Sequence, residues 1–275
     1  MNKRTMSQKP PRSMSTQHPD NASMPFFASN SLLGGEDEIQ EAYYAFSHLG
    51  CSEQMWDCEG KEVDGYVVKK LLAKFEHFFR EKQLGKELRL TLRVPNPAIE
   101  KAEAKILLET LESIPRSFDT AELFYGNEIP PIFEVILPMT RSAHDVNQIY
   151  YYYKNFVAGK ASQQFFENGP LVSEWIGKFK PEEINVIPLI ETKEQLLQAG
   201  TIVEEYLKGK KLEEQRVFFG AQRPRAELRF YCGCFVGQTG AAIPARTRGK
   251  KRDNPVSHYR SRFCPLSRKP KANQY

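Results

Sequence analysis

The chain has 275 residues, 40% of them hydrophobic and 27% charged, with a formal net charge of +5. That apolar share supports a buried core in one large domain or two small ones, and it excludes a chain disordered throughout. The charge is unevenly placed: residues 219–275 hold 13 Lys/Arg and 2 Asp/Glu, net +11, which leaves −6 for residues 1–218, so the basic character belongs to the tail alone.

Five cysteines (Cys51, Cys58, Cys232, Cys234 and Cys264) are too few and too unevenly spaced for a disulfide framework, so a reducing, cytoplasmic setting is expected. No apolar run is long enough to span a bilayer, and "MNKRTMSQKPPRSM" has basic residues with no apolar stretch behind them, so neither a membrane segment nor a secretory signal is expected.

Residues 1–35 are rich in Pro, Ser, Asn and Gly and read as an irregular lead-in. Apolar residues three and four apart predict helices over 36–48 and 65–84. "RLTLRVP" (89–95) is short, alternating and closed by proline, which predicts a strand. In the segment that follows, Pro97 is placed to open a helix and Pro115 to end it. "IFEVILPM" (132–139) and "NVIPLI" (185–190) are short apolar runs, each followed by a helical pattern, and read as strands, a reading that Pro188 weakens in the second. Strand and helix in alternation point to an α/β fold with a parallel sheet or barrel, because parallel strands need a crossover to return. Beyond Phe218 the periodicity vanishes, and the tail 219–275 reads as irregular or disordered.

The residues just past the strand-like runs are Arg93, Thr140, Arg141 and Glu191. In barrels and open α/β sheets the carboxyl ends of the strands face the active site, so an Arg and a Glu there can converge. A glutamate offers hard oxygens to Mg²⁺, and an arginine offers a fork to phosphate or carboxylate. The plainer reading of Glu191 is a local cap on the next helix. His18, in "TQHPDN", is suited to proton transfer but is equally an ordinary exposed loop histidine. "MWDCEGKEVDG" gathers Trp56, Asp57, Glu59, Lys61 and Asp64 in a turn-rich stretch; such charged clusters are more often solvated surface than sites, and Trp56 raises this one above background. Cysteine spacing does not make a zinc site, and neither a glycine-rich phosphate loop nor a Gly-x-Ser-x-Gly elbow occurs.

Together, "STQHPDNA", "EDEIQEAYYAFSHLGCSEQMWDCEGKEVDGYVVKKLL", "LRVPNPAIEKAEAKILLETLESIPRS", "IFEVILPMTRSAHDVNQIYYYY", "EWIGKFKPEEINVIPLIET" and "QRVF" resemble the archaeal-type, short phosphoenolpyruvate carboxylases from about Met14 to Phe218. The resemblance implies a (β/α)₈ TIM-type barrel with extra helices, of which residues 36–218 would be the N-terminal part. It also implies a homotetramer, a requirement for Mg²⁺ or Mn²⁺, and carboxylation of phosphoenolpyruvate by bicarbonate to oxaloacetate and phosphate, an anaplerotic fixation of carbon dioxide. On the same resemblance His18 serves the carboxylation step, Arg93 binds phosphate or carboxyphosphate, and Glu191 is a metal ligand. The family more often has Pro where Leu92 stands.

Members of that family continue after "RVF" with strings like "LARSDPALNYG" and, later, "YPIIGVGSAPFRGNL", neither of which is present. With freely chosen synonymous codons, "GAQRPRAELRFYCGCF" can be encoded so that reading one base further on gives "ARSDPALNYGFIAAVL". The same shift recovers "PIIGVGSAPFRGN" from "SHYRSRFCPLSRKP". The expectation is a tail translated out of frame from about Phe219, with the 275-residue chain inactive by itself. Two alternatives stay open: another Mg-dependent barrel lyase of phosphoenolpyruvate or oxoacids, and a nucleic-acid-binding protein using the cationic tail, the latter not the expected reading.

Overall fold

A computed structural model describes residues 11–15, 25–28, 34–58, 64–212, 214–221, 229–236 and 264–265. Six strands run parallel in sequence order: β1 (Ser13–Ser15), β2 (Glu53–Asp57), β3 (Arg89–Arg93), β4 (Glu134–Leu137), β5 (Asn185–Ile190) and β6 (Glu214–Ala221). Helices fill the crossovers: α1 (Glu36–Ser47), α2 (Val67–Lys74), α3 (Glu76–Glu81), α4 (Ala104–Tyr125), α5 (Ala143–Tyr152), the short α6 (Val172–Ile176) and α7 (Lys193–Leu207). The expected α/β alternation is therefore present.

The sheet is curled into a half-barrel, and one contact requires it. β2 and β6 are four strand spacings apart, about 19 Å across a flat sheet, farther than an arginine and a glutamate can span between them. Yet Arg216 on β6 holds Glu53 on β2 at 2.7 and 2.9 Å and Glu134 on β4 at 2.7 and 3.2 Å. Because side chains alternate faces along a strand, Glu53, Met55 and Asp57 share the concave face of β2, and Arg216, Phe218 and Gly220 that of β6. The concave face thus has a charged layer at the strand starts. Above it lies an apolar layer of Met55, Ile136, Ile187, Leu189 and Phe218, and a polar layer follows at the strand ends. The convex face packs against the helices through the larger core, which includes Trp56, Leu90, Leu92, Val135 and Val186 from the strands and Ile39, Leu71, Leu111 and Val146 from the helices.

Several expectations are corrected. β2 and β1 fall in stretches read as loop and lead-in. β2 is buried along its whole length, including Glu53, Gln54 and Asp57, because its charges are met by arginines far along the chain. The helix over 65–84 is broken at Phe75, whose backbone leaves the helical region and whose ring stacks on Tyr43 at 3.7 Å. Pro97 does not open α4 and Pro115 does not end it: the helix begins at Ala104, holds Pro115 inside, and stops at Gly126 in the left-handed conformation. A proline inside a helix costs about 3 kcal/mol or more, whereas each large side chain buried contributes about 1.5–3 kcal/mol. Leu107, Leu111, Ile114 and Phe118 bury one stripe of α4, so packing outweighs the proline. The expected strand over 185–190 forms despite Pro188, which closes the β4 register opposite Leu137, while the β6 register begins one residue later, at Leu189. The tail is not irregular throughout: β6 runs past Phe218, and Arg229–Val236 (β7) pairs antiparallel with it, followed by Cys264–Pro265 (β8). "RFYCGCFV" is rich in strand-forming residues, and the open edge of β6 offers it unpaired backbone groups.

Gly85 shows how tightly the strand-start end is built. Its φ is +85°, and a Cβ there would lie 2.1 Å from the Pro130 carbonyl oxygen. Gly85→Ala is expected to destabilise the chain by about 2–4 kcal/mol, read as a lower urea midpoint with unchanged slope; an unshifted midpoint would show that the turn relaxes.

Candidate active site

Two strand-end residues pair directly, and a third, Glu191, lies within electrostatic reach of one of them. Arg93 closes β3 and Asp57 closes β2, and the two are register partners. Arg93 Nη1 donates to Asp57 Oδ2 at 2.7 Å, both side chains being largely buried. Glu191 directly follows β5, and its Oε2 accepts the Met139 backbone N–H at 3.0 Å. Met139, at φ +49°, sits in the loop after β4, which is held on its other side by Asn96 Nδ2 donating to the Pro138 carbonyl at 2.8 Å.

The local-cap reading of Glu191 is excluded by its neighbour. Thr192, not Glu191, caps α7, its hydroxyl accepting from the Gln195 N–H while Gln195 reaches back to the Thr192 N–H. The Glu191 carboxylate is therefore directed to the adjacent strand end rather than to its own helix. Burial pushes its pKa above the ordinary value, while the Met139 N–H and the Arg93 charge pull down without cancelling the rise, and Glu100 adds to it. Gly220 on β6 makes room for it: a Cβ at 220 would lie 2.9 Å from Glu191 Cγ.

The other candidates fare differently. Thr140 is buried and spends its hydroxyl on the Leu137 carbonyl, and Arg141 is exposed, so neither joins the cluster. His18 lies outside the described residues. Sequence reasoning missed Asp57 as a site residue, taking its stretch as solvated surface, and missed Gly220. The alternation Glu53, Met55, Asp57 and the glycine just after "RVFF" are the signals that would have found them.

Among the described residues, no group of three or more His, Cys, Asp or Glu is placed to hold a metal ion. Mg²⁺ is nevertheless commonly held by one or two carboxylates plus substrate phosphate oxygens. Glu191, a hard-oxygen donor beside a cationic fork, fits part of such a site. Asp57, Arg93 and Glu191 sum to one negative charge, which suits a divalent cation with a phosphate better than a phosphate alone.

A family model described as phosphoenolpyruvate carboxylase matches residues 10–226, most of the chain. The chain belongs to the phosphoenolpyruvate carboxylase family. Relatives so named include that of Methanothermobacter thermautotrophicus, 65% identical over 216 residues, which are 78% of this chain and 44% of the relative. The one from Methanospirillum hungatei is 54% identical over 235 residues, covering 86% and 47%. That of Pyrococcus furiosus is 57% identical over 216 residues, covering 78% and 45%. The chain thus spans somewhat under half the length of these phosphoenolpyruvate carboxylases. Among the described residues, no helix is long and apolar enough to cross a membrane.

Proposed function

We propose that the chain is the N-terminal part of a phosphoenolpyruvate carboxylase of the short type, acting on phosphoenolpyruvate and bicarbonate to give oxaloacetate and phosphate. The observation that carries the reading is the Arg93–Asp57 pair at the carboxyl ends of β3 and β2, with Glu191 after β5 in reach of the Arg93 charge, in a chain matched to that family along residues 10–226. The curled sheet is then the first part of a (β/α)₈ barrel, in a cytoplasmic homotetramer.

In this reading the Arg93 fork binds the transferring phosphoryl group, where preorganised donors lower the barrier most. Asp57 holds the guanidinium in place. Glu191 would hold Mg²⁺ or Mn²⁺, which when bound supplies a Lewis acid for the enolate and phosphate oxygens. The apolar layer beneath, Met55, Ile136, Ile187, Leu189 and Phe218, keeps water from the floor of the site. His18 is assigned to the carboxylation of the enolate. The residues from about Phe219 are assigned to an out-of-frame translation; the absence of "LARSDPALNYG" supports this.

Sequencing the gene across codons 210–225 tests the tail: one or two bases out of frame are expected, and an intact frame overturns the assignment. With Mg²⁺, phosphoenolpyruvate and bicarbonate, a coupled malate dehydrogenase assay is expected to find no oxaloacetate from the 275-residue chain. The product of the frame-corrected gene is expected to turn over, with dependence on bicarbonate. Turnover by the 275-residue chain refutes the first expectation, and a bicarbonate-independent reaction refutes the second.

A further inference from the structure

We propose that Asn96 is a positioning residue, which fixes the Glu191 carboxylate through a single peptide unit of the loop after β4. The inference rests on the reading of Glu191 as a metal ligand, and it names a residue that acts on that ligand without touching metal or substrate.

The peptide unit is the one joining Pro138 to Met139. Its carbonyl accepts from Asn96 Nδ2 at 2.8 Å, and its N–H donates to Glu191 Oε2 at 3.0 Å. The unit is trans, and in a planar trans unit the carbonyl and the N–H point in opposite directions. Fixing the one therefore aims the other. Hydrogen bonds chained in this way also polarise one another, so the N–H is a stronger donor with Asn96 in place. With Oε2 held by it, Oε1 is the oxygen left for a cation.

Met139 does not keep this orientation unaided. Its φ of +49° is a left-handed conformation that persists only where the surroundings over-determine it. Asn96 Nδ2 donates to the Met139 carbonyl as well, at 3.4 Å, and the Thr140 N–H donates to the Leu189 carbonyl at 3.0 Å.

Asn96 is itself held firmly. It is 1% exposed, its Oδ1 accepts the Ala98 N–H at 3.1 Å, and its own N–H donates to Glu100 Oε2 at 2.8 Å. Nδ2 faces two carbonyls and Oδ1 an N–H, an arrangement that a flipped amide does not satisfy. Both ends of the amide are engaged within the protein, so the residue acts through the loop. It stands three residues past Arg93, and it thereby ties the end of β3 to the loop that aims at Glu191.

The test is Mn²⁺ binding by the frame-corrected protein without substrate, read from the electron paramagnetic resonance signal of the free ion. Asn96→Ser is expected to weaken binding by about tenfold, as for a group that orients a metal ligand. The shorter side chain does not reach Pro138, yet its hydroxyl still accepts from the N–H two residues on, so the local turn survives. Asn96→Asp keeps the volume and the bond from Ala98 but sets an acceptor against the two carbonyls. It should also weaken binding, although a negative charge alone would tighten it. Glu191→Gln should weaken binding by itself, and Asn96→Ser added to Glu191→Gln should weaken it no further, because both act through one carboxylate. Gly85→Ala, at the other end of the sheet, should lower the urea midpoint and leave Mn²⁺ affinity unchanged. Parent affinity in both Asn96 variants overturns the proposal, as does an additive loss in the double variant or an equal loss in Gly85→Ala. Unchanged affinity in Glu191→Gln overturns the metal reading itself and the inference with it, and that variant, measured alone, tells the two failures apart.

Discussion

Arg216→Met is expected to lower the stability of the chain by about 3–5 kcal/mol, the range for stranding buried charges by removing their partner, measured as a fall in the urea midpoint. Arg216 is 1% exposed and grips Glu53 and Glu134 at once, while Glu53 also accepts hydrogen bonds from the Thr91 hydroxyl, at 2.6 Å, and from Ser13. Arg89 adds a second cation against Glu134 at 3.2 Å. Two carboxylates and two guanidinium groups balance, so losing one cation leaves a buried negative charge with no water to screen it. Replacing the cluster as a whole is expected to be milder: with Glu53→Met, Glu134→Leu and Arg89→Met added to Arg216→Met, most of the loss returns, since an apolar layer of similar volume avoids the desolvation of all four charges. A single Arg216→Met variant as stable as the parent would show that the sheet curl does not depend on this contact.

The same cluster sets an acid limit. Burial alone pushes the Glu53 carboxyl up, but the Arg216 charge and the hydrogen bonds from Arg216, Ser13 and Thr91 outweigh it and bring its pKa from 4.5 to about 2. A carboxyl whose pKa is depressed on folding stabilises the fold above its unfolded value and loses that contribution as pH falls towards the folded one. The share at stake is about 3 kcal/mol at 1.36 kcal/mol per unit, lost between about pH 4.5 and pH 2. In Glu53→Gln that part of the acid dependence should disappear.

What could be read in advance follows from how local each cause is. β3, β4 and β5 are legible because their apolar runs are short, bounded and followed by helical stripes, and Arg93 and Glu191 are legible because position at a strand end carries chemical meaning in this architecture. β2 is not legible, since "EQMWD" carries two charges whose partners, Arg216 and Arg93, lie 163 and 36 residues further along. The curl shares that origin: nothing near Glu53 in sequence announces that β6 will reach it. Pro115 misleads for the opposite reason, a strong local signal overruled by a buried stripe made of tertiary contacts. Asp57 is hidden for the same reason as β2, because a carboxylate in a polar stretch reads as solvated until the fold sets it against Arg93.

In the frame-corrected protein, Arg93→Ala is expected to lower kcat/KM for phosphoenolpyruvate by about 10²–10³-fold, the range for removing one preorganised electrostatic donor. Arg93→Lys should recover little of it, because an ammonium offers a point charge where the guanidinium offers a fixed fork. Asp57→Asn separates holding from contact. The amide keeps the volume and one acceptor oxygen but loses the charge that fixes Arg93 Nη1 at 2.7 Å. The expected loss is smaller, about tenfold, as for an orienting group that never touches substrate. Glu191→Gln should instead raise the Mg²⁺ concentration needed for half-maximal rate, since a neutral amide is a poorer ligand for a hard cation. Saturating Mg²⁺ should then recover part of the rate in Glu191→Gln and none in Arg93→Ala. Steady-state rates in the coupled assay, with Mg²⁺ and phosphoenolpyruvate varied independently, distinguish the three. If Arg93→Ala retained full kcat/KM, the phosphate would have to be bound by other residues, and the Arg93–Asp57 pair would be a structural brace rather than a site.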